Sequence, residues 1–303
     1  MLIDLTKSDY TGGTQESENY CCLLEQGNVI FFDHLPFDLP EADIRFLLSA
    51  RQDNTRLHKN ISYRPEHNVL RGFSGKREKD FERLREIMQN YSEQVVRFLS
   101  NFLAPYAENW SLDYASFRPI EESGRALPLH KRNELLHVDA FPSRPTWGGR
   151  ILRFFNNINP TRNRVWEIGE SFDRLAGEFA FDAGLGRVQK QASSSAWQAF
   201  WSAGQMLGKL GVPIPDRSPY DRFMLRFHDY LKENASYQKE SFKKRIEFPP
   251  NSTWIVFTDC VPHSVLSGQF ALEQTFIIPF ESLVAPEDSP IRVLENMCGQ
   301  SLI

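Results

Sequence analysis

Trp254-Ile-Val-Phe-Thr-Asp-Cys-Val-Pro-His263 reads as a strand and then a turn that delivers a histidine, and a second strand follows it, ending Gln274-Thr-Phe-Ile-Ile-Pro279. Short apolar runs bounded by turn residues mark buried strands. The same texture occurs at Leu112 to Pro119, Leu135 to Phe141, Arg150 to Ile158, Ile246 to Phe248 and Ala271 to Phe280. From about Glu167 to Lys244 it is interrupted by a polar stretch with helices expected at Ser171 to Phe181, Ser193 to Leu210 and Tyr220 to Glu233. Strands that resume after such a detour predict one antiparallel sheet system with a helical insert, rather than two domains.

Upstream, Phe81, Leu84, Met88, Tyr91, Val95, Leu99 and Phe102 recur every three or four positions between Lys76 and Trp110, which predicts a long amphipathic helix. A shorter helix is expected from Glu41, after Pro40, burying Ile44, Phe46 and Leu47. The chain is therefore expected to be a single catalytic domain over 1–303: a helical or mixed N-terminal layer over 1–110, a sheet core from 111–165 and 246–285, and a helical insert over 166–245.

With 303 residues, 41% hydrophobic and 24% charged, the composition is globular. A net charge of -4 and a pI near 6.0 give no global field for a polyanion, so no nucleic-acid partner is expected. Apolar runs such as Val29 to Phe32 fall far short of the roughly 18 residues of a membrane span, and the start lacks the basic-then-apolar order of a secretory signal. A cytoplasmic protein with no transmembrane segment is expected. The four cysteines, Cys21, Cys22, Cys260 and Cys298, show no CxxC spacing and read as thiols. No GxSxG, GxxxxGK[ST] or GxGxxG occurs, which removes the usual serine hydrolase, NTPase and dinucleotide readings.

The chemistry points to a metal. In Leu135-Leu-His-Val-Asp139, a spacing of two on an extended chain puts His137 and Asp139 on one face, where they can grip one ion. An HxD alone can arise by chance. Together with His263 from a separate strand it makes the set of two histidines and one carboxylate that holds iron while leaving positions open. Zinc is the competitor, but it favours tetrahedral sites, and no general base stands out. Asp259 is the alternative carboxylate, more naturally a supporting or turn residue. His34, His58, His67, His130 and His228 have no partner at useful spacing and read as surface or helix histidines.

His137-Val-Asp-Ala-Phe-Pro-Ser-Arg-Pro-Thr146, Arg150-Ile-Leu-Arg-Phe-Phe-Asn-Asn-Ile-Asn-Pro160 and Arg164-Val-Trp-Glu-Ile-Gly-Glu170 resemble the core signature of the Kdo hydroxylases, Fe(II)/2-oxoglutarate dioxygenases acting on a 3-deoxy-D-manno-oct-2-ulosonic acid residue of the lipopolysaccharide inner core. Ser218 to Lys232 and His263 to Phe276 add to the likeness, which runs from about Leu112 to Pro279. It implies a double-stranded β-helix, or jelly roll, mainly β with helices. It implies Fe(II) on His137, Asp139 and His263, with 2-oxoglutarate and O2 as cosubstrates that yield succinate and CO2, and hydroxylation of the C3 methylene of Kdo on Kdo2-lipid A to give Ko. Such a glycolipid partner implies a peripheral protein at the cytoplasmic face of the inner membrane.

The far carboxylate of 2-oxoglutarate needs a cation. Many relatives of this architecture carry one about ten residues after the second histidine, where this chain reads Leu272-Glu-Gln-Thr275. Others place it on the strand after HxD, which here offers Arg150 and Arg153 on opposite faces. Arg150 is preferred, with Gln274 and Thr275 as hydrogen-bond partners. An anionic acceptor implies basic residues by the iron, for which Arg118, Arg125, Lys131, Arg132 and Arg144 are candidates. The helix around Arg222 and Arg226 is a candidate lid. The alternatives are a 2-oxoglutarate-dependent hydroxylase of another small anionic substrate, or a noncatalytic metal-binding β-barrel; turnover of 2-oxoglutarate separates the latter from either enzyme.

Overall fold

The computed structural model describes residues 1–5, 13–53, 60–75, 77–193 and 217–303. Its strands are β1 (Leu2–Leu5), β2 (Val29–Phe32), β3 (Ile61–Arg64), β4 (Val69–Arg71), β5 (Ser111–Arg118), β6 (Arg150–Asn157), β7 (Arg164–Ile168), β8 (Lys244–Phe248), β9 (Thr253–Phe257), β10 (His263–Ser267) and β11 (Ala271–Ile278). The helices are α1 (Thr14–Glu25), α2 (Glu41–Ser49), α3 (Glu78–Phe102), α4 (Phe172–Phe179), α5 (Leu185–Ala192), α6 (Pro219–Glu233), α7 (Ala235–Glu240) and α8 (Pro290–Cys298). A large sheet runs β1-β2-β9-β6-β11-β5-β3-β4 and a small one β10-β7-β8. From β6 to β11 the chain passes back and forth between the sheets, with β6, β9 and β11 in the large one and β7, β8 and β10 in the small one, and every pairing except the parallel β1 to β2 is antiparallel, which is jelly-roll construction.

The two faces of the large sheet differ in kind. On β6, Leu152, Phe154 and Asn156 look outward to the helices: Phe154 meets Phe98 of α3 at 5.9 Å, and Asn156 accepts from Tyr91 Oη at 2.9 Å. Arg153 and Phe155 look inward, where Phe155 stacks on Trp254 at 5.0 Å and meets Trp166 of the small sheet edge-on at 5.0 Å. Helix α3 covers the outer face with Leu84, Ile87, Met88, Tyr91, Val95, Leu99 and Phe102, all buried. Burying each such side chain contributes about 1.5–3 kcal/mol. The helix stops at Phe102 rather than reaching Trp110, because Ala104-Pro-Tyr106 tightens into a 3-10 turn at a proline that has no N–H to offer.

Several expectations need correction. The segment Leu135 to Phe141 is not a strand: it is extended backbone that touches the small sheet through one bridge, His137 to His263. The N-terminal hundred residues supply four strands of the large sheet, each of three or four residues, as well as helices. β7 and β10 are separate strands, and α1, α5, α7 and α8 are helices beyond the expected set. After Ser193, the helix expected to Leu210 lies outside the described residues, as does His58. Among the described residues all four cysteines are free, and no helix is long and apolar enough to cross a membrane.

Candidate active site

The bridge from His137 to His263 is what assembles the centre. His137 N donates to His263 O at 3.1 Å and His263 N to His137 O at 2.9 Å, while Asp139 N donates to Thr258 O at 2.8 Å. Backbone pairing thus places the three side chains together: His137 Nε2 lies 3.7 Å from Asp139 Oδ1, and His263 Nε2 lies 3.9 Å from Asp139 Oδ2. His263 also stacks on Trp166 at 5.1 Å.

Both imidazoles are held in one tautomer. His137 Nδ1 lies 2.6 Å from Leu135 O and His263 Nδ1 lies 2.9 Å from Val261 O. A carbonyl only accepts, so each Nδ1 carries the proton and each Nε2 keeps its lone pair. Burial, with His263 next to it, lowers the His137 pKa well below the usual range, and burial likewise lowers His263. Burial would raise Asp139, but Arg153 and then His263 and His137 hold its carboxyl well below the usual range. Neutral imidazoles and an ionised carboxylate are the states a divalent metal needs. Asp139 Oδ2 is buried without a hydrogen-bond partner, which a bound cation would answer. The donors present fit an iron ion.

A further histidine, which spacing could not connect, joins them from α6: the ligand atoms of His137, Asp139 and His228 lie within 4.8 Å of one another. Asp259 does not compete with Asp139. Its Oδ2 accepts from Arg150 Nε at 2.8 Å, and the Arg150 guanidinium lies 4.3 Å over the Phe257 ring.

Beside the centre opens a polar cavity of about 280 Å³, lined among others by Tyr114, Ser116, Asn133, Arg118, Arg144, Arg153, Arg164, Trp166, Glu273 and Thr275. Arg150 is absent from it, which corrects the preferred anchor. Arg150 does share a face with Leu152, Phe154 and Asn156 as period two requires, but that face lies under the helices. The apolar company that suggested a barrel interior is the packing side, and the cavity side is the polar one. Gln274 is likewise turned away and donates to Asp113 O at 2.9 Å, while Thr275 lines the cavity.

Of the basic residues expected at substrate, Arg118 and Arg144 reach the cavity. Arg118 is paired with Glu273, and Arg144 with Asp113 at 2.9 Å, its guanidinium 4.1 Å over Tyr114. Arg125 points to Glu122 at 3.3 Å behind the lining, Arg132 to Glu134 at 2.6 Å, and Lys131 is exposed outside the cavity.

The guanidinium groups are incompletely satisfied. Nε of Arg144, Arg153 and Arg164 is in each case buried without a hydrogen-bond partner. Arg153 reaches Asp139 at 3.3 Å and Glu273 at 3.0 Å. Arg164 donates to Gly268 O at 3.1 Å and lies 3.6 Å from Glu122, and burial lowers its pKa to about 10. Arg164, Glu122 and Glu273 received no role from the sequence. The signal available was an arginine opening the apolar run Arg164-Val-Trp166, inside a stretch that carries the family likeness.

Two stability consequences follow. Arg150→Met leaves Asp259 buried and unpaired, and should cost about 3–5 kcal/mol in chemical denaturation, most of it recovered by adding Asp259→Leu, with the KM for 2-oxoglutarate unchanged. Loss of cosubstrate affinity without loss of stability would return Arg150 to the cavity. Burial would raise Glu122, but Arg164, Arg118 and Arg125 bring its pKa down to about 2 from an ordinary 4.5. A depressed folded pKa stabilises above the unfolded value and is lost as pH falls through the folded one, so about 3 kcal/mol should disappear between roughly pH 4.5 and 2. The stability gap between the parent and Glu122→Gln should therefore narrow over that window; a gap that does not change with pH would contradict the pairing.

The geometry agrees with what the chain resembles. The family model described as 3-deoxy-D-manno-oct-2-ulosonic acid (Kdo) hydroxylase matches residues 8–301. Among solved structures it is similar to the Kdo hydroxylase KdoO, a non-heme Fe(II) alphaketoglutarate dependent dioxygenase, in complex with alphaketoglutarate and Fe(III), in its apo form and in complex with cobalt(II); each is 36% identical with a TM-score of 0.82, over 100% of this chain and 97% of the other. No curated protein sequence matches.

Proposed function

The chain belongs to the Kdo hydroxylase family, and from that premise we propose that it is an Fe(II)/2-oxoglutarate-dependent dioxygenase that hydroxylates the C3 methylene of a Kdo residue on Kdo2-lipid A, giving Ko, succinate and CO2. One observation carries the reading: His137, Asp139 and His263 converge at a cavity lined by Arg144, Arg153 and Arg164, whose buried Nε–H groups have no hydrogen-bond partner. Bound iron, with 2-oxoglutarate and O2, supplies the oxidising power that an unactivated C–H bond needs and that no side chain provides.

The chain's own residues bind and orient. Arg164 is the anchor we assign to the far carboxylate of 2-oxoglutarate. It is fully buried, has an unused Nε–H and, unlike Arg153, has no contact with Asp139, so it is set back from the metal. Arg153 steers the Asp139 carboxylate and keeps it ionised, with Thr275 on the same face. Arg144, held by Asp113 and flanked by Tyr114 and Phe141, presents its free Nε–H for the acceptor's carboxylate, and Arg118 braces Glu273. Phe155 and Trp166 wall off one side of the cavity from water.

A lipid acceptor implies work at the cytoplasmic face of the inner membrane, with exposed Lys131 and half-exposed Arg132 near the cavity as contacts for anionic headgroups. Incubating the protein with Kdo2-lipid A, Fe(II) and 2-oxoglutarate should add one oxygen to the Kdo region, read by mass spectrometry, and omission of 2-oxoglutarate should abolish it. Turnover of 2-oxoglutarate with an unchanged glycolipid would point to another anionic acceptor.

A further inference from the structure

We propose that the cavity lined by α4 and α7 is a binding site for a primary ammonium group, separate from the iron centre and independent of its chemistry. It encloses about 230 Å³. Leu175, Glu178 and Phe179 of α4 recur at spacings of three and four and so share a face; Tyr237 and Glu240 line the cavity from α7. Glu170 and the exposed Phe242 complete the wall, and no lysine or arginine is among the described residues that line it.

Glutamates alone would be an ordinary acidic surface; Tyr237 sets this one apart. It is only 4% exposed, and its Oη is buried with no hydrogen-bond partner. Burial, then Glu170 and Glu178, push the phenol well above its usual range, so the hydroxyl is neutral and the carboxylates that act on it are the ones lining the cavity. A buried hydroxyl without a partner is a cost that a ligand can remove. Glu170 has the exposed Arg174 at 3.4 Å, while Glu178 and Glu240 have no ion pair among the described residues.

The donor set selects the ligand. Carboxylates and a phenol oxygen accept hydrogen bonds, and a primary ammonium offers three donors with a positive charge, whereas a quaternary ammonium has none to give. Phe179 meets Tyr237 edge-on with centroids 5.3 Å apart, and ring faces attract a cation. Leu175 and Phe179 favour an organic amine over a bare alkali ion, which has no apolar part to lie against them. The site is also preformed. Asn234 accepts from Tyr237 N at 3.1 Å and Ser241 Oγ donates to Tyr237 O at 2.6 Å. Next to Tyr237, Gln238 accepts from Leu136 N and donates to Leu136 O, both at 2.9 Å, which fixes α7 to the backbone leading into His137.

Titration of the full chain with protonated 2-aminoethanol, followed by backbone amide NMR, tests this. Saturable shifts are expected at Ser236, Tyr237 and Ser241, and none from tetramethylammonium. Tyr237→Phe should weaken binding about fivefold, as loss of one hydrogen bond does, and Glu178→Gln with Glu240→Gln at least as much. Both glutamates are exposed and Tyr237→Phe keeps the ring, so the variants should fold. Vesicles separate the sources of the amine. Cosedimentation that rises when phosphatidylethanolamine replaces part of the phosphatidylcholine, and that the double variant loses, supports a lipid headgroup as the ligand. Saturable binding of 2-aminoethanol without that response supports a small soluble amine. No saturable shift from 2-aminoethanol, equal shifts from tetramethylammonium, or unchanged affinity in the variants would overturn the proposal.

Discussion

His137→Ala, Asp139→Ala and His263→Ala should each abolish turnover while leaving the fold in place. Outer hydrogen bonds to a ligand are worth about 10–100-fold in metal affinity, and removing a ligand should exceed that. The fold should survive because the cross-bridge between His137 and His263 is made by backbone N–H and C=O groups that alanine keeps. Asp139→Ala removes one partner of Arg153 and leaves the other, Glu273 at 3.0 Å. The check is turnover and bound iron per chain, with folding followed by thermal denaturation. Full activity in any of the three with iron supplied would sink the assignment.

Arg164→Met should raise the KM for 2-oxoglutarate far more than Arg153→Met does, and Arg150→Met should leave it unchanged. Truncating one side of a buried, hydrogen-bonded charge pair costs about 2–5 kcal/mol, which is upward of about thirtyfold. Arg164 has an Nε–H to give and is under-compensated, whereas Arg153 is already shared between Asp139 and Glu273. Glu122 keeps Arg118 and Arg125 when Arg164 is lost, so the variant should remain folded. The reverse ranking, read from initial rates against 2-oxoglutarate concentration, would move the anchor to Arg153.

The sequence made the frame legible where period and length agree. β5, β6, β9 and β11 are strands of five to eight residues with apolar stretches bounded by turn residues, and α3 carries its stripe for seven turns. The N-terminal strands are three or four residues long and gain their stability from edges of the large sheet, a non-local partner that no local pattern announces. His137, Asp139 and His263 could be found because two lie at a spacing of two and the third follows an unmistakable strand through a short turn.

His228 could not be found this way: it lies 91 positions from His137 along the chain, and only the packing of α6 brings it close. The choice between Arg150 and Arg153 failed for a physical reason. Alternation separates the two faces of a strand but does not say which is interior, and in this sheet the apolar face belongs to the helices while the cavity is lined with charge.

The central claim is that one oxygen from O2 goes to the Kdo residue and the other to succinate at the His137, Asp139 and His263 centre. Running the reaction under 18O2 with Kdo2-lipid A tests it most directly. The account predicts one labelled oxygen in succinate for each labelled hydroxyl on Kdo, with neither formed by His263→Ala. Hydroxylated Kdo without succinate, or with its oxygen drawn wholly from water, would contradict it.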